Sequence, residues 1–393
     1  MCAFFLSNDV KYILNKLESA GHRADIVGGP VRDLIRGVVP YDFDITTSAL
    51  PEETKVVFEG ERIIETGIKH GTVTLLLNGQ QYEITTYRID GEYEDSRHPK
   101  SVSFTERIED DLARRDFTVN AIAYSPKHGI TDPFGGAIDI EKKIIRAVGR
   151  AEDRFDEDAL RIIRGIRFAS TLGFSVEEKT KSAMRKKAHL LDKISKERIF
   201  VEWKKLLMGE AALSILQEYS AVTEVLFPEA SIPSSINETA FYQASLEARH
   251  ISLFASSGAE KYRSAMQRLK TDRHILDTGF SVLSSIGKYE RDRVSLAFMI
   301  RDIGVRNAKY LIECEAILDI GSISDTKLLQ AVINSGVPYE LSMLNISGGS
   351  LLDIGFFGAE IKETLLWLQE KVLMGELENR YSSLIKAAAV RKD

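Results

Sequence analysis

Asp42 and Asp44 stand two residues apart in Tyr41-Asp42-Phe43-Asp44-Ile45. On a strand, that spacing puts both carboxylates on one face and turns Phe43 and Ile45 to the other. Two such anions repel, and a divalent cation between them relieves the repulsion. Carboxylate oxygens suit Mg²⁺, which keeps several waters and adds phosphate oxygens from a substrate. With two ions about 3.5–4 Å apart, one could activate an attacking hydroxyl while the other stabilises a leaving oxygen. Two solvated aspartates on a strand edge would carry the same spacing. The residues upstream, Gly28-Gly29-Pro30-Val31-Arg32-Asp33, shift the balance. A glycine turn followed by Pro30 suits the start of a helix, where backbone N–H groups favour an anion. Arg32 in that first turn adds a charge-assisted hydrogen bond to phosphate. Asp33 is expected to orient Arg32 or cap locally rather than to bind metal.

Three further clusters carry chemistry. Arg114-Arg115-Asp116 is followed by Phe117, Val119 and Ala121, apolar residues that would root the arginines in packed structure. It fits either a solvated salt-bridge patch or an inward-facing phosphate site. Glu157-Asp158-Ala159-Leu160-Arg161 places Asp158 and Arg161 at i and i+3, on one face of a predicted helix. A carboxylate only accepts and a guanidinium only donates. Cytosine and adenine both offer an amino donor beside a ring-nitrogen acceptor, and guanine and uracil offer the reverse. The pair therefore fits C and A and opposes G and U, unless it is only an exposed ion pair. Arg164 lies further round the same helix, and Arg167, nine residues from Asp158, points to the opposite side of an ideal helix. Between Lys179 and Lys205 ten basic residues face three acids, in a chain of net charge −6. That contrast suits a phosphate-binding face, although a solvated helix surface would also carry it.

These residues need elements to hold them. The first ~145 residues mix helix and strand signals. Val10–Leu17 is a predicted helix and Arg23–Val27 a strand that runs into the glycine turn. Thr72–Leu77 and Gln81–Tyr87 are predicted strands joined at Asn78-Gly79, a hairpin signal. Phe155–Leu172 has one helical period with apolar Leu160, Ile163, Ile166 and Ala169. The rest reads as helix, broken at Ser231–Ser235, Ser256-Ser257-Gly258 and Gly348-Gly349. The fold class is α+β: a head with a mixed β-sheet and helices, then an elongated all-α region. The expected divisions are 1–148 for the head, 149–206 for a helical neck, 207–320 for a body and 321–393 for a tail. No run approaches the ~20 apolar residues of a membrane span. Two cysteines among 393 residues, Cys2 and Cys314, exclude a disulfide framework and point to a reducing cytoplasm.

The Gly28–Asp33 motif with Asp42-Phe43-Asp44 resembles the signature of class II tRNA nucleotidyltransferases, the CCA-adding enzymes and their poly(A) polymerase relatives in the DNA polymerase beta superfamily. The resemblance implies Asp42 and Asp44 as catalytic Mg²⁺ ligands, with Glu83 as a candidate third carboxylate. It implies nucleotide contacts from Gly29, Arg32, Arg115, Asp158, Arg161, Arg164 and Arg167, with Asp116 orienting Arg115 and Asn120 near the sugar. Residues 90–109 match a family loop that helps the site change from C to A. Ile194–Ile199 resembles a motif that supports the template helix. Leu344–Gly358 resembles a tail that holds tRNA, with Ser350 where that tail often has Asp. The implied activity is addition of C, C and A to the tRNA 3′ end from CTP and ATP, releasing pyrophosphate. The alternatives are a poly(A) polymerase, a CC- or A-adding enzyme, or a non-catalytic RNA-binding relative.

Overall fold

A computed structural model describes residues 4–65, 67–68, 71–91 and 101–392. The chain divides into two compact units, Met1–Leu226 and Phe227–Asp393.

In the first unit, helix α1 (Asn8–Ser19) is capped by the Ser7 hydroxyl, which accepts from Val10 N. It buries Val10, Ile13, Leu14 and Leu17, one face at helical spacing. Strand β1 (Ala24–Val27) is buried at all four positions and ends at Gly28, whose φ of 81° turns the chain into α2 (Gly29–Ile35). A side chain at that φ would be strained. The further strands are β2 (Ile45–Thr47), β3 (Arg62–Ile64), β4 (Thr72–Leu77), β5 (Gln80–Thr86), β6 (Arg88–Asp90), β7 (Val102–Phe104), β8 (Ala123–Ser125) and β9 (Gly129–Thr131). Seven of them form one mixed sheet in the order β3-β4-β5-β2-β1-β8-β9, in which only β2 and β5 run parallel. The Asn78-Gly79 turn joins β4 to β5 as expected, both residues at positive φ (51° and 79°). Two short pairs are separate: β6 with β7, antiparallel, and β10 (Ile144–Ile145) with β11 (Ser175–Val176), parallel.

Central β1 is flanked by β2 and β8, so the loops leaving β1 and entering β2 lie side by side. Beneath them Val27, Tyr87, Leu112, Ala121 and Val148 form a buried cluster. Helices α3 (Pro51–Val57), α4 (Ile108–Ala113) and α5 (Gly136–Glu141) complete the sheet-bearing part.

The single helix expected over 155–172 is two helices: α6 (Ala151–Glu157) and α7 (Leu160–Leu172). Asp158 between them is extended, with φ −140° and ψ 103°. Its carboxylate accepts from Leu160 N at 2.9 Å, a local bond that competes with helix continuation. Helices α8 (Glu178–Lys187) and α9 (Lys196–Leu207) follow, and α7 packs on α9. Gly165 in α7 makes room for a close approach. A methyl there would come within 2.7 Å of the Phe117 ring and 2.2 Å of Met184 Cε.

The second unit is helical, from Glu238–Gln243 through Tyr381–Lys392. The breaks expected at 231–235 and 256–258 are non-helical. Gly348-Gly349 instead opens the short helix Gly348–Asp353, capped by Ser347. Leu344, Ile346, Leu351, Phe356, Leu368 and Leu384 form a core in this unit.

Candidate active site

The site lies where β1, β2 and β5 present their ends. Asp42 and Asp44 do not sit on a strand face, because β2 begins only at Ile45. Asp44 is held by its backbone, whose carbonyl accepts from Val27 N at 3.0 Å. Both carboxylates are exposed, as is Glu83 on β5. Asp44 lies in a cleft where desolvation raises its pKa, and the charges of Asp42 and Glu83 push it further up. Arg115 opposes that shift. Three carboxylates thus share one field, with one guanidinium as partial compensation. The donor set is all oxygen, which fits Mg²⁺. Among the described residues no three acidic, Cys or His side chains converge into a metal cage. Two carboxylates completed by substrate phosphate and water is the usual Mg²⁺ arrangement.

Arg115 stands between the acids and the glycine turn. A methyl on Gly28 would come within 2.9 Å of its Nη1 and push that guanidinium aside, at a φ that already disfavours a side chain. Asp116 does not orient Arg115. That role belongs to Asp111, fully buried on α4, which accepts from Arg115 Nη2 at 3.4 Å and from Arg114 Nη2 at 2.7 Å. Burial alone would raise Asp111; the two arginines override it and hold the carboxyl below its usual range. The i, i+3 and i, i+4 spacing of Asp111 to Arg114 and Arg115 was a readable signal. Arg115 Nε is buried and has no hydrogen-bond partner among the described residues.

Arg32 starts a second, interlocked array. Its Nε and Nη2 donate to Asp33 at 3.0 and 3.1 Å, the orienting role expected of Asp33. Nη1 donates to Asn120 Oδ1 at 2.8 Å, so Asn120 faces Arg32. Asn120 Nδ2 donates to Asp116, and Asp116 Oδ2 accepts from both Nε and Nη2 of Arg164 at 2.9 and 2.8 Å. Asp116 is 8% exposed; burial would raise it, but Arg164 holds it below the carboxylate range. Arg164 continues to Glu202 on α9 (Nη1–Oε1 3.6 Å), and Arg167 donates to the same carboxylate at 2.9 Å. Arg164 and Arg167 therefore share a face of α7. The opposite-side expectation for Arg167 counted turns from Asp158 along a helix that is in fact broken. Glu202 gave no local signal, since it lies 35 residues from Arg167.

Asp158 and Arg161 are not on one helical face, because Asp158 precedes α7 at the break. Asp158 Oδ2 accepts from Arg198 Nη2 at 3.2 Å, placing the 194–199 motif against it. Arg161 is 8% exposed. It donates to Glu157 (2.7 Å), to Arg154 O (3.3 Å) and to Arg114 O (3.0 Å). Each residue is thus fixed by its own partners rather than by the other. The 179–205 span is less basic in space than in sequence. Lys181, Lys186 and Lys187 pair with Glu218, Glu152 and Asp156, which all lie outside it. The stretch 90–109 falls partly outside the described residues.

Residues 24–146 match the family model described as the poly A polymerase head domain, and 173–232 match a probable RNA and SrmB-binding site of polymerase A. The CCA-adding enzyme of Streptococcus thermophilus is 36% identical over 384 residues, 95% of this chain and 94% of that protein. That of Streptococcus mutans is 53% identical over 195 residues, 50% of this chain and 48% of that one. The crystal structure of the Bacillus stearothermophilus CCA-adding enzyme in complex with CTP superposes with a TM-score of 0.86 at 30% identity, covering 98% of both chains. The Thermotoga maritima enzyme complexed with tRNA shares the fold, with a TM-score of 0.73 at 21% identity.

Proposed function

The chain belongs to the CCA-adding enzyme family, and from that premise we propose how its residues divide the work. The activity is addition of C, C and A to the tRNA 3′ end from CTP and ATP, with release of pyrophosphate. The observation that carries the residue assignment is Arg115, packed on the Gly28 turn and electrostatically coupled to Asp44.

Asp42 and Asp44 would hold Mg²⁺, with Glu83 shaping the field around them. Bound Mg²⁺ supplies acidity to the attacking 3′-hydroxyl and neutralises charge on the phosphates. Gly29, with Arg32 and Arg115, receives the triphosphate at the start of α2. Asp158 accepts the exocyclic amino group of C or A, and Arg161 donates to the ring nitrogen. Three of the five Arg161 N–H groups are engaged by protein among the described residues, which leaves two for a base. A wrong base leaves buried polar groups unpaired, at about 1–3 kcal/mol each. Arg164 and Arg167 hold the nucleotide from the facing side of α7. In this reading 1–148 is the head, 149–206 the neck, 207–320 the body and 321–393 a tail for tRNA. The site of action is the cytoplasm, and no helix among the described residues is long and apolar enough to cross a membrane.

The test is incubation with tRNAs that end before CCA, after C and after CC, with each nucleotide in turn. Ordered addition of C, C and A that then stops is the expected result. Long A tails would point to a poly(A) polymerase, and use of a single nucleotide to a partial enzyme.

A further inference from the structure

Phe168 on α7 is 5% exposed, yet its ring is surrounded by charge. The Arg167 guanidinium lies 3.6 Å from the ring centroid, a stacking distance. Arg164 lies at 5.4 Å and Arg32 at 5.5 Å. Phe117 meets the ring edge-on at 5.9 Å and 78°, and Gly165 leaves the space that Phe117 fills. Arg32 comes from α2 and the other two from α7, so one ring joins guanidiniums from separate elements. Asp33, Asp116 and Glu202 grip these guanidiniums by their N–H edges. These bonds act along the guanidinium plane and resist tilting out of it only weakly. The aromatic ring adds that restraint, by stacking for Arg167 and by cation–π attraction for Arg164 and Arg32.

We propose that Phe168 is a positioning residue shared by both ends of the nucleotide site. It sets the planes of Arg32 on the triphosphate side and of Arg164 and Arg167 on the base side. This rests on the nucleotide-site reading above. A leucine keeps much of the apolar volume and loses the π face, and a tyrosine keeps the face.

The experiment compares wild type, Phe168→Leu and Phe168→Tyr as full chains, with matched thermal midpoints as the folding check. Phe168→Leu should raise KM for CTP and for ATP by about 3- to 30-fold, with kcat nearly unchanged. Inorganic tripolyphosphate, which has no base, should inhibit it less by a similar factor. Phe168→Tyr should restore both. If Leu does not fold, Phe168→Met removes the face while filling the space, and the same expectations hold. Unchanged KM and unchanged tripolyphosphate inhibition in a folded variant overturn the proposal. So does a KM increase that Tyr fails to restore, because packing alone would then account for it. Wild type is the control for the functional reading: if it adds neither C nor A, that reading falls whatever the variants do.

Discussion

Asp42, Asp44 and Glu83 are exposed and repel one another, whereas Arg32, Asp116 and Glu202 are buried and joined, through a half-buried Arg164, by hydrogen bonds and ion pairs. The two regions lie within one compact unit and follow different electrostatic rules. The acidic end is compensated only in part, by Arg115, so a cation has something to neutralise. The arginine end is compensated in advance, so its donors keep their directions before a nucleotide arrives. A site that must supply both reactivity and selection can divide them between an unsatisfied region and a satisfied one.

The sharpest way to break this contrast is at the acids. Asp42→Ala should lower nucleotide incorporation by at least about a thousandfold. Filter binding should find tRNA affinity retained, because the removed group serves chemistry. Asp116→Asn attacks the other region. It leaves Arg164 facing Glu202 alone and should destabilise the fold by about 3–5 kcal/mol in denaturant titration. The pH dependence has a definite sign. Asp111 and Asp116 have pKa values lowered by folding. Their stabilisation is complete above the unfolded value of about 3.9 and is lost as pH falls through the lower folded values. Asp116→Asn should therefore flatten the acid limb of a stability profile.

Asp158→Ala tests selection, and misincorporation of G and U relative to C should rise about tenfold or more. Lysines with no acidic partner among the described residues separate a phosphate face from a solvated one. Lys179→Gln or Lys193→Gln should each weaken tRNA binding a few-fold and lower the salt slope by about one. Lys187→Gln, whose partner is Asp156 at 2.7 Å, should change it less. The smallest effect belongs to Asp44→Asn in metal-free protein. Because the Asp44 pKa is raised, its ionisation opposes folding at neutral pH. The variant should melt slightly higher at pH 7, and the gain should fade as pH falls through that raised value.

What was legible in the sequence was mostly local. Asn78-Gly79 announced its hairpin because type I′ turns demand positive φ at both residues, and the structure supplies it. The turn from β1 into α2 was announced by Gly28 and Pro30 in the same way. The break at Asp158 was hidden because the apolar period continues through it and no glycine or proline marks it. Only a short polar side chain bonding to Leu160 N reveals the stop. Asp116 was assigned to its neighbour Arg115, yet its partner lies 48 residues away on α7. Phe168 carries no polar signal and is buried on α7. Its ring of guanidiniums needs α2 beside α7, a tertiary fact that no spacing encodes.

If Asp158 and Arg161 read the base as proposed, the junction at Asp158 bears on how one protein surface measures two sizes of base. Two groups on an unbroken helix form a rigid ruler whose marks cannot move. Asp158 and Arg161 lie on either side of a bend, so helix geometry alone does not set the gap between acceptor and donor. A pyrimidine and a purine carry the same donor–acceptor order at different distances from the sugar. Across the bend each mark is held by its own partner, Arg198 for Asp158 and Glu157 for Arg161, so the spacing a base meets is set from two sides rather than by one helix.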